Sequence, residues 1–153
     1  MITFSQPTQA DADYIAANMR AADAAEVMAS HNHTPSQAMN IGMVSSDYLT
    51  VVRGDGVPLG IYGLGIRDIL IGEGTLWMLT TNGMFKARRE LMTVTPKVIE
   101  AMLDICPRIS NHVHADNASS VRWLRRLGFT FSEAMPIGVN GEMFYEFHMN
   151  RSN

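Results

Sequence analysis

The sequence predicts an α/β domain (α+β in some schemes): a mixed sheet covered by helices on both faces. Short β-branched and aromatic runs alternate with segments whose apolar residues return at spacings of three and four. One run, 75–80, is apolar almost throughout, as a strand buried on both faces is, and should lie centrally. No internal repeat, low-complexity tract or Pro/Ser-rich linker interrupts the 153 residues, so one domain over 1–153 is expected.

Ile2 and Phe4 alternate with Thr3 and Ser5 before Pro7-Thr8 stops the run, which makes a short first strand. Thr8 can cap a helix that buries Ala12, Ile15 and Ala16, and the Ala-rich 19–30 reads as a second helix with Asp23 and Glu26 on its polar side. His31-Asn32-His33-Thr34-Pro35 interrupts the pattern, and a short helix holding Met39 and Met43 starts at Ser36. Strands at 48–53 and 59–66 flank Gly54-Asp55-Gly56, which supplies the positive-φ positions of a tight hairpin. A glycine-containing connection leads to the apolar strand at 75–80.

Past Thr81-Asn82-Gly83, the residues Leu91, Val94, Val98, Met102 and Ile105 fall on one helical stripe. Pro96 inside it either kinks the helix or restarts it with Thr95 as cap. A strand at 109–114 follows, then a helix capped by Asp116 or Asn117 and stopped by Gly128. Strands at 130–134 and 142–149, joined around Gly138 and Gly141, complete the chain.

Composition removes several classes of function. With 46% hydrophobic and 18% charged residues the chain is neither disordered nor fibrous. No run approaches the ~18 apolar residues of a membrane span, and the first residues have neither a basic segment nor an apolar signal core. No membrane association and a cytoplasmic location are therefore expected. A net charge of −3 argues against nonspecific nucleic-acid binding. Cys106, the single cysteine, has no internal partner and reads as packing. The pairs His31/His33 and His112/His114 lack a Cys or carboxylate to complete a ligand set, so no metal is expected. No Gly-x-Ser-x-Gly elbow supports a nucleophilic hydrolase.

The element order, taken with Asn117-Ala118-Ser119-Ser120-Val121-Arg122-Trp123-Leu124-Arg125-Arg126-Leu127-Gly128-Phe129, resembles the C-terminal half of the GNAT N-acetyltransferase fold. The family pattern there runs from Asn through a small residue and an aliphatic to Gly-Phe. The opening strand, Pro7-Thr8 and the Asp11-Ala12 helix resemble the entry to the same fold, so the resemblance covers nearly the whole chain. The chain is similar above all to GNAT-like proteins of bacteriophages and prophages, some labelled internal virion proteins. The resemblance implies a mixed, mostly antiparallel sheet of about six to seven strands with helices on both faces.

It also implies where chemistry would sit. Acetyl-CoA would enter a splay between the fourth and fifth strands, with its pyrophosphate on backbone N–H groups at the next helix start. That places Leu79, Thr80, Thr81, Asn82 and Gly83 at the cofactor. The family signature there is an Arg or Gln followed by two closely spaced small residues, of which this chain has Gly83 alone. Lys86, with Arg88 and Arg89, either supplies the missing charge or forms a solvated helix face. Asn117 corresponds to the residue near the pantetheine arm, or only caps its helix.

Leu124 stands where the family usually has the tyrosine that reprotonates the leaving thiolate. A base must also take a proton from the attacking amine. Glu73, just ahead of the central strand, and His114, on one strand face with His112, are the candidates. Arg122, Arg125 and Arg126 read as a partner patch or a solvated face, and Trp77 and Trp123 as ligand-slot walls or core.

Two functions follow. One is an acetyl-CoA-dependent N-acyltransferase acting on a small-molecule or protein amine. The other is a non-catalytic GNAT-like phage accessory or internal virion protein. It would work through protein contacts, as a homodimer or with a virion partner, in the host cytoplasm or the virion.

Overall fold

A computed structural model describes residues 1–152. Seven strands form one sheet in the order β1-β2-β3-β4-β5-β7-β6. They are β1 (Ile2–Ser5), β2 (Tyr48–Gly54), β3 (Val57–Asp68), β4 (Glu73–Thr80), β5 (Arg108–His114), β6 (Thr130–Phe131) and β7 (Phe144–Asn150). Every neighbouring pair is antiparallel except β4 with β5. The apolar run lies in β4, fourth of seven, as its composition predicts.

Five α-helices cover the sheet: α1 (Gln9–Ala17), α2 (Ala21–His31), α3 (Pro35–Ser45), α4 (Arg88–Ile105) and α5 (Ala118–Leu127). Alternation along the strands sorts the core into two clusters. On one face Val51, Ile61 and Leu79 meet Ala12 and Ile15 of α1 and Met39 of α3. On the other Val52, Tyr62 and Leu76 meet Leu91, Val98 and Met102 of α4 and Leu124 of α5.

Local chemistry accounts for the element ends. Thr8 caps α1 in a reciprocal box with Asp11. The third helix begins earlier than its Ser36 suggests, because Thr34 and Gln37 form a second such box with Pro35 at the first helical position. Asp55 and Gly56 take positive φ in the β2–β3 turn, while Gly54 stays extended in the strand. The last two strands are shorter than expected at one end: β6 stops at Phe131 and β7 starts at Phe144.

Pro96 does not restart α4, which runs as one helix across it. The stripe of Leu91, Val98, Ile99, Met102 and Leu103 is buried on both sides of the proline. That burial outweighs one lost backbone bond. Gly128 ends α5 at φ 102, where a side chain would strain.

Trp77 lies flat over glycine. A methyl at Gly63, its cross-strand partner, would overlap the indole, and one at Gly42 of α3 would stand 2.6 Å from Trp77 Cζ2. The ring is further fixed by Nε1 donating to Ser46 Oγ at 2.7 Å. Gly63→Ala is therefore expected to cost about 1–3 kcal/mol by overpacking. It should also move the tryptophan emission, which a denaturant titration followed by fluorescence checks.

Candidate active site

Strands β4 and β5 pair over three positions only: Glu73 with Arg108, Gly74 with Ile109 and Thr75 with Ser110. Asn111 marks the fork. Its Nδ2 donates to Leu76 O at 2.6 Å, and its Oδ1 accepts from His112 N at 2.8 Å. Beyond it the strands part, because β5 stays paired with β7 along its whole length and β4 with β3 along all of its own. A cleft of about 1520 Å³ occupies the gap, lined from one sheet face by α2 and α3 and from the other by α4 and α5.

Alternation along β4 turns the N–H and C=O groups of Leu76, Met78 and Thr80 away from β3 and toward the gap. Leu76 O is taken by Asn111. Thr80 is taken by α2: its N–H and Oγ1 donate to Asp23 Oδ2 at 2.9 and 2.6 Å, and its C=O accepts from Arg20 N at 2.8 Å. Between them Met78 presents its N–H and C=O where β5 no longer pairs.

The wide end of the gap is crossed by charged residues that precede or lie on α2. The Arg20 guanidinium reaches from the end of β4 to the first turn of α5, donating to Ser119 Oγ at 2.8 Å and Ser120 Oγ at 2.7 Å. It is paired with Asp23 Oδ1 at 2.8 Å, the two side chains being 11% and 7% exposed. One turn on, Glu26 Oε1 accepts from His114 N at 2.7 Å and from Asn117 Nδ2 at 3.4 Å. Arg20, Asp23 and Glu26 thus connect the ends of both diverging strands. Burial pushes the Glu26 carboxyl up to about 7, with the nearby Asp23 charge adding to the rise and the His114 N–H opposing it.

Exposed arginines from two helices line the cleft, Arg88 and Arg89 on α4 with Arg122 and Arg126 on α5. None of the four is in an ion pair among the described residues. The two basic runs, each readable as a solvated helix face, are brought together around one opening.

Of the residues the sequence nominates, Leu79 and Thr80 line the cleft. Thr81 sends its N–H to Leu59 O and lies with Asn82 and Gly83 at a separate small depression beside Tyr14 and Pro58. A Cβ on Gly83 would stand 2.8 Å from Leu59 Cδ2, so a larger residue there would have to displace the end of that side chain. Lys86 is exposed outside the cleft lining. Asn117 is buried at the start of α5 without a side-chain capping bond, its amide being used by Arg20 and Glu26 instead. Glu73 sits at the closed end of the splay, 3.8 Å from Arg108 Nε. His114 reaches the site through its backbone N–H, while its Nδ1 accepts from Asp116 N at 3.0 Å.

Sequence reasoning misses Arg20 and Glu26 as site residues. Arg20, Asp23 and Glu26 recur every third position in an otherwise Ala-rich stretch, so one helical face carries all three charges. That spacing is the signal that was there to be read.

These residues fit a thioester of CoA in part. The arginines, of which Arg88 donates to Phe85 O at 2.9 Å, suit its phosphates and the open Met78 edge suits an acyl carbonyl or an amide-bearing arm. The Thr80 and Thr81 amides do not serve, because protein groups already hold them. Leu124 is buried against the core and offers no proton. No helix is long and apolar enough to cross a membrane among the described residues.

Neither a protein-family model nor a curated protein matches the sequence. Solved structures do. A spermidine N-acetyltransferase from Vibrio cholerae in complex with CoA and spermine superposes with a TM-score of 0.75 at 10% identity, over 97% of this chain and 95% of that one. A ribosomal-protein-alanine N-acetyltransferase from Brucella melitensis gives 0.71 at 14%, over 97% and 99%. The yncA protein of Salmonella typhimurium, with its cofactor acetyl-CoA, gives 0.70 at 16%, over 100% and 95%. At these identities the likeness is one of architecture, and the architecture of this chain is the GNAT fold.

Proposed function

We propose that the chain binds the CoA thioester of a small acyl group, acetyl-CoA in the first instance, and transfers the acyl group to an amine. The observation that carries this reading is the parting of β4 from β5 over a cleft lined by four arginines that make no ion pair among the described residues. An unfilled strand edge leading to a concentration of free positive charge is what a thin arm ending in phosphates requires. The structures of two GNAT-fold proteins that hold CoA or acetyl-CoA support the assignment.

In this reading Arg88, Arg89, Arg122 and Arg126 hold the phosphates, and the Met78 N–H is the donor available to a carbonyl oxygen. When bound, CoA supplies an activated acyl carbon and a thiolate leaving group. The protein orients the amine, excludes bulk water and accepts a proton. The amine nitrogen forms a C–N bond as the C–S bond of the thioester breaks. The acceptor enters as an ammonium: one of its protons passes to a protein base before attack and a second to the departing sulfur, so that the products are amide, thiol and a proton released to solvent.

Calorimetric titration with acetyl-CoA tests this. Saturable binding is expected, weakening as salt is raised. Arg122→Ala combined with Arg126→Ala should lower affinity about tenfold or more, as the loss of hydrogen bonds to charged groups does. Silence at millimolar acetyl-CoA would leave the second reading, a non-catalytic scaffold. That reading is favoured by the Arg20 bridge across the wide end of the splay and by the apolar Leu124.

A further inference from the structure

Only two carboxylates, Asp23 and Glu26, line the cleft among the described residues. They are not equivalent. Both oxygens of Asp23 are consumed, Oδ1 by Arg20 and Oδ2 by Thr80. Glu26 commits Oε1 alone, to His114 N and Asn117 Nδ2, and its Oε2 takes no hydrogen bond from the protein. Among the described residues the one buried side-chain N or O atom sealed from solvent without a partner is His148 Nδ1, so the Glu26 oxygen is not sealed. It therefore opens on the cleft.

The rest of the wall that α2 and α3 contribute is neutral or apolar, including Val27, Ser30, Ile41, Gly42 and Ser45, with His31 and His33 at the helix end. The remaining fixed charges of the cleft are arginines. An ammonium entering from this side meets one free carboxylate oxygen, and a second ammonium on the same molecule meets none.

We propose that Glu26 is the proton acceptor of the transfer and that the acceptor substrate is a primary amine carrying no second cation, on an apolar or hydroxyl-bearing body. The proposal rests on the acyl-transfer reading above and specifies its substrate class. Glu26 takes one proton from the ammonium, the freed nitrogen attacks as described, and the proton leaves through the cleft. The buried carboxyl, held at about 7 by desolvation, is matched to this task near neutral pH. Glu73 is engaged with Arg108 at the far end of the splay, and the His114 ring is held by Asp116 N. A second ammonium would be desolvated without a partner and set among arginines, which penalises polyamines.

The test uses two amines of equal length, hexylamine and hexamethylenediamine. Each is titrated by NMR into protein labelled at its glutamate carboxyls, with and without CoA, while CoA binding is measured separately by calorimetry. Hexylamine is expected to shift the Glu26 carboxyl signal and to bind about tenfold or more tighter than the diamine. Glu26→Gln, which keeps an acceptor for His114 N, should remain folded and lose the preference. Thiol release from acetyl-CoA should follow the same order and fall about a hundredfold or more in that variant. Equal or tighter binding of the diamine, an unmoved Glu26 signal, or failure of both amines while CoA binds would overturn the proposal and leave CoA binding standing. Failure of CoA itself would remove the acyl-transfer reading together with it.

Discussion

Asp23→Ala is expected to destabilise the protein by about 3–5 kcal/mol, the cost of removing one member of a buried charged pair. The structural reason is specific. The carboxylate satisfies the Thr80 N–H and hydroxyl with one oxygen and the Arg20 guanidinium with the other, all in a buried setting. Its loss strands a cation, a backbone donor and a hydroxyl at the end of the central strand. Asp23→Asn should cost less, because it keeps an acceptor for Thr80 while giving up the charge. Paired chemical denaturation of the two variants checks the order. If Asp23→Ala proves as stable as the parent, the bridge across the splay is not the structural tie described here.

Glu26→Gln should act in the opposite direction, and only above acid pH. Burial raises the folded-state carboxyl from 4.5 to about 7. A carboxyl raised on folding contributes stability in its neutral form, fully present below 4.5 and lost as pH rises through 7. Asp23, Arg20, the His114 N–H and Asn117 are the groups that face it, and desolvation outweighs the favourable ones. The shift corresponds to about 3 kcal/mol at pH 8 and above. Glu26→Gln carries no such charge and should be more stable than the parent by up to that amount there, with the advantage gone in acid. Denaturation midpoints of both proteins across that pH range provide the check, and a constant difference would show that Glu26 titrates normally. A residue that destabilises its own fold at neutral pH while opening on a cleft is what a functional carboxylate looks like.

How far the sequence foretells the structure depends on how local the cause is. Thr8, Gly128, the Asp55-Gly56 turn and the apolar run in β4 are legible because a cap, a positive φ or a period of two is written into a few adjacent residues. Pro96 is undecided for the complementary reason: local chemistry leaves a kink or a restart open, and the buried stripe that carries one helix across it is a tertiary fact. The splay is announced only through resemblance, since nothing in residues 76–80 or 111–114 says that two strands must part.

The site residues divide in the same way. Arg20, Asp23 and Glu26 look like the polar side of an Ala-rich helix until the fold carries that side into the opening between β4 and β5. Asn117 is correctly placed at a helix start, yet its amide serves Arg20 and Glu26 rather than the helix. The arginines of α4 and α5 are separated by more than thirty residues, and only the sheet order makes them neighbours of one mouth.

Amide-resolved NMR during a titration with CoA bears most directly on whether the parted strands receive a ligand. The Met78 N–H, free at the edge of β4, should shift on binding and become protected from exchange, and the backbone around Arg88 and Arg89 on α4 and around Arg122 and Arg126 on α5 should shift with it. The Thr80 N–H, already bonded to Asp23, should move less. A spectrum in which Met78 stays where it was, with shifts confined to the surface or absent, would contradict the account.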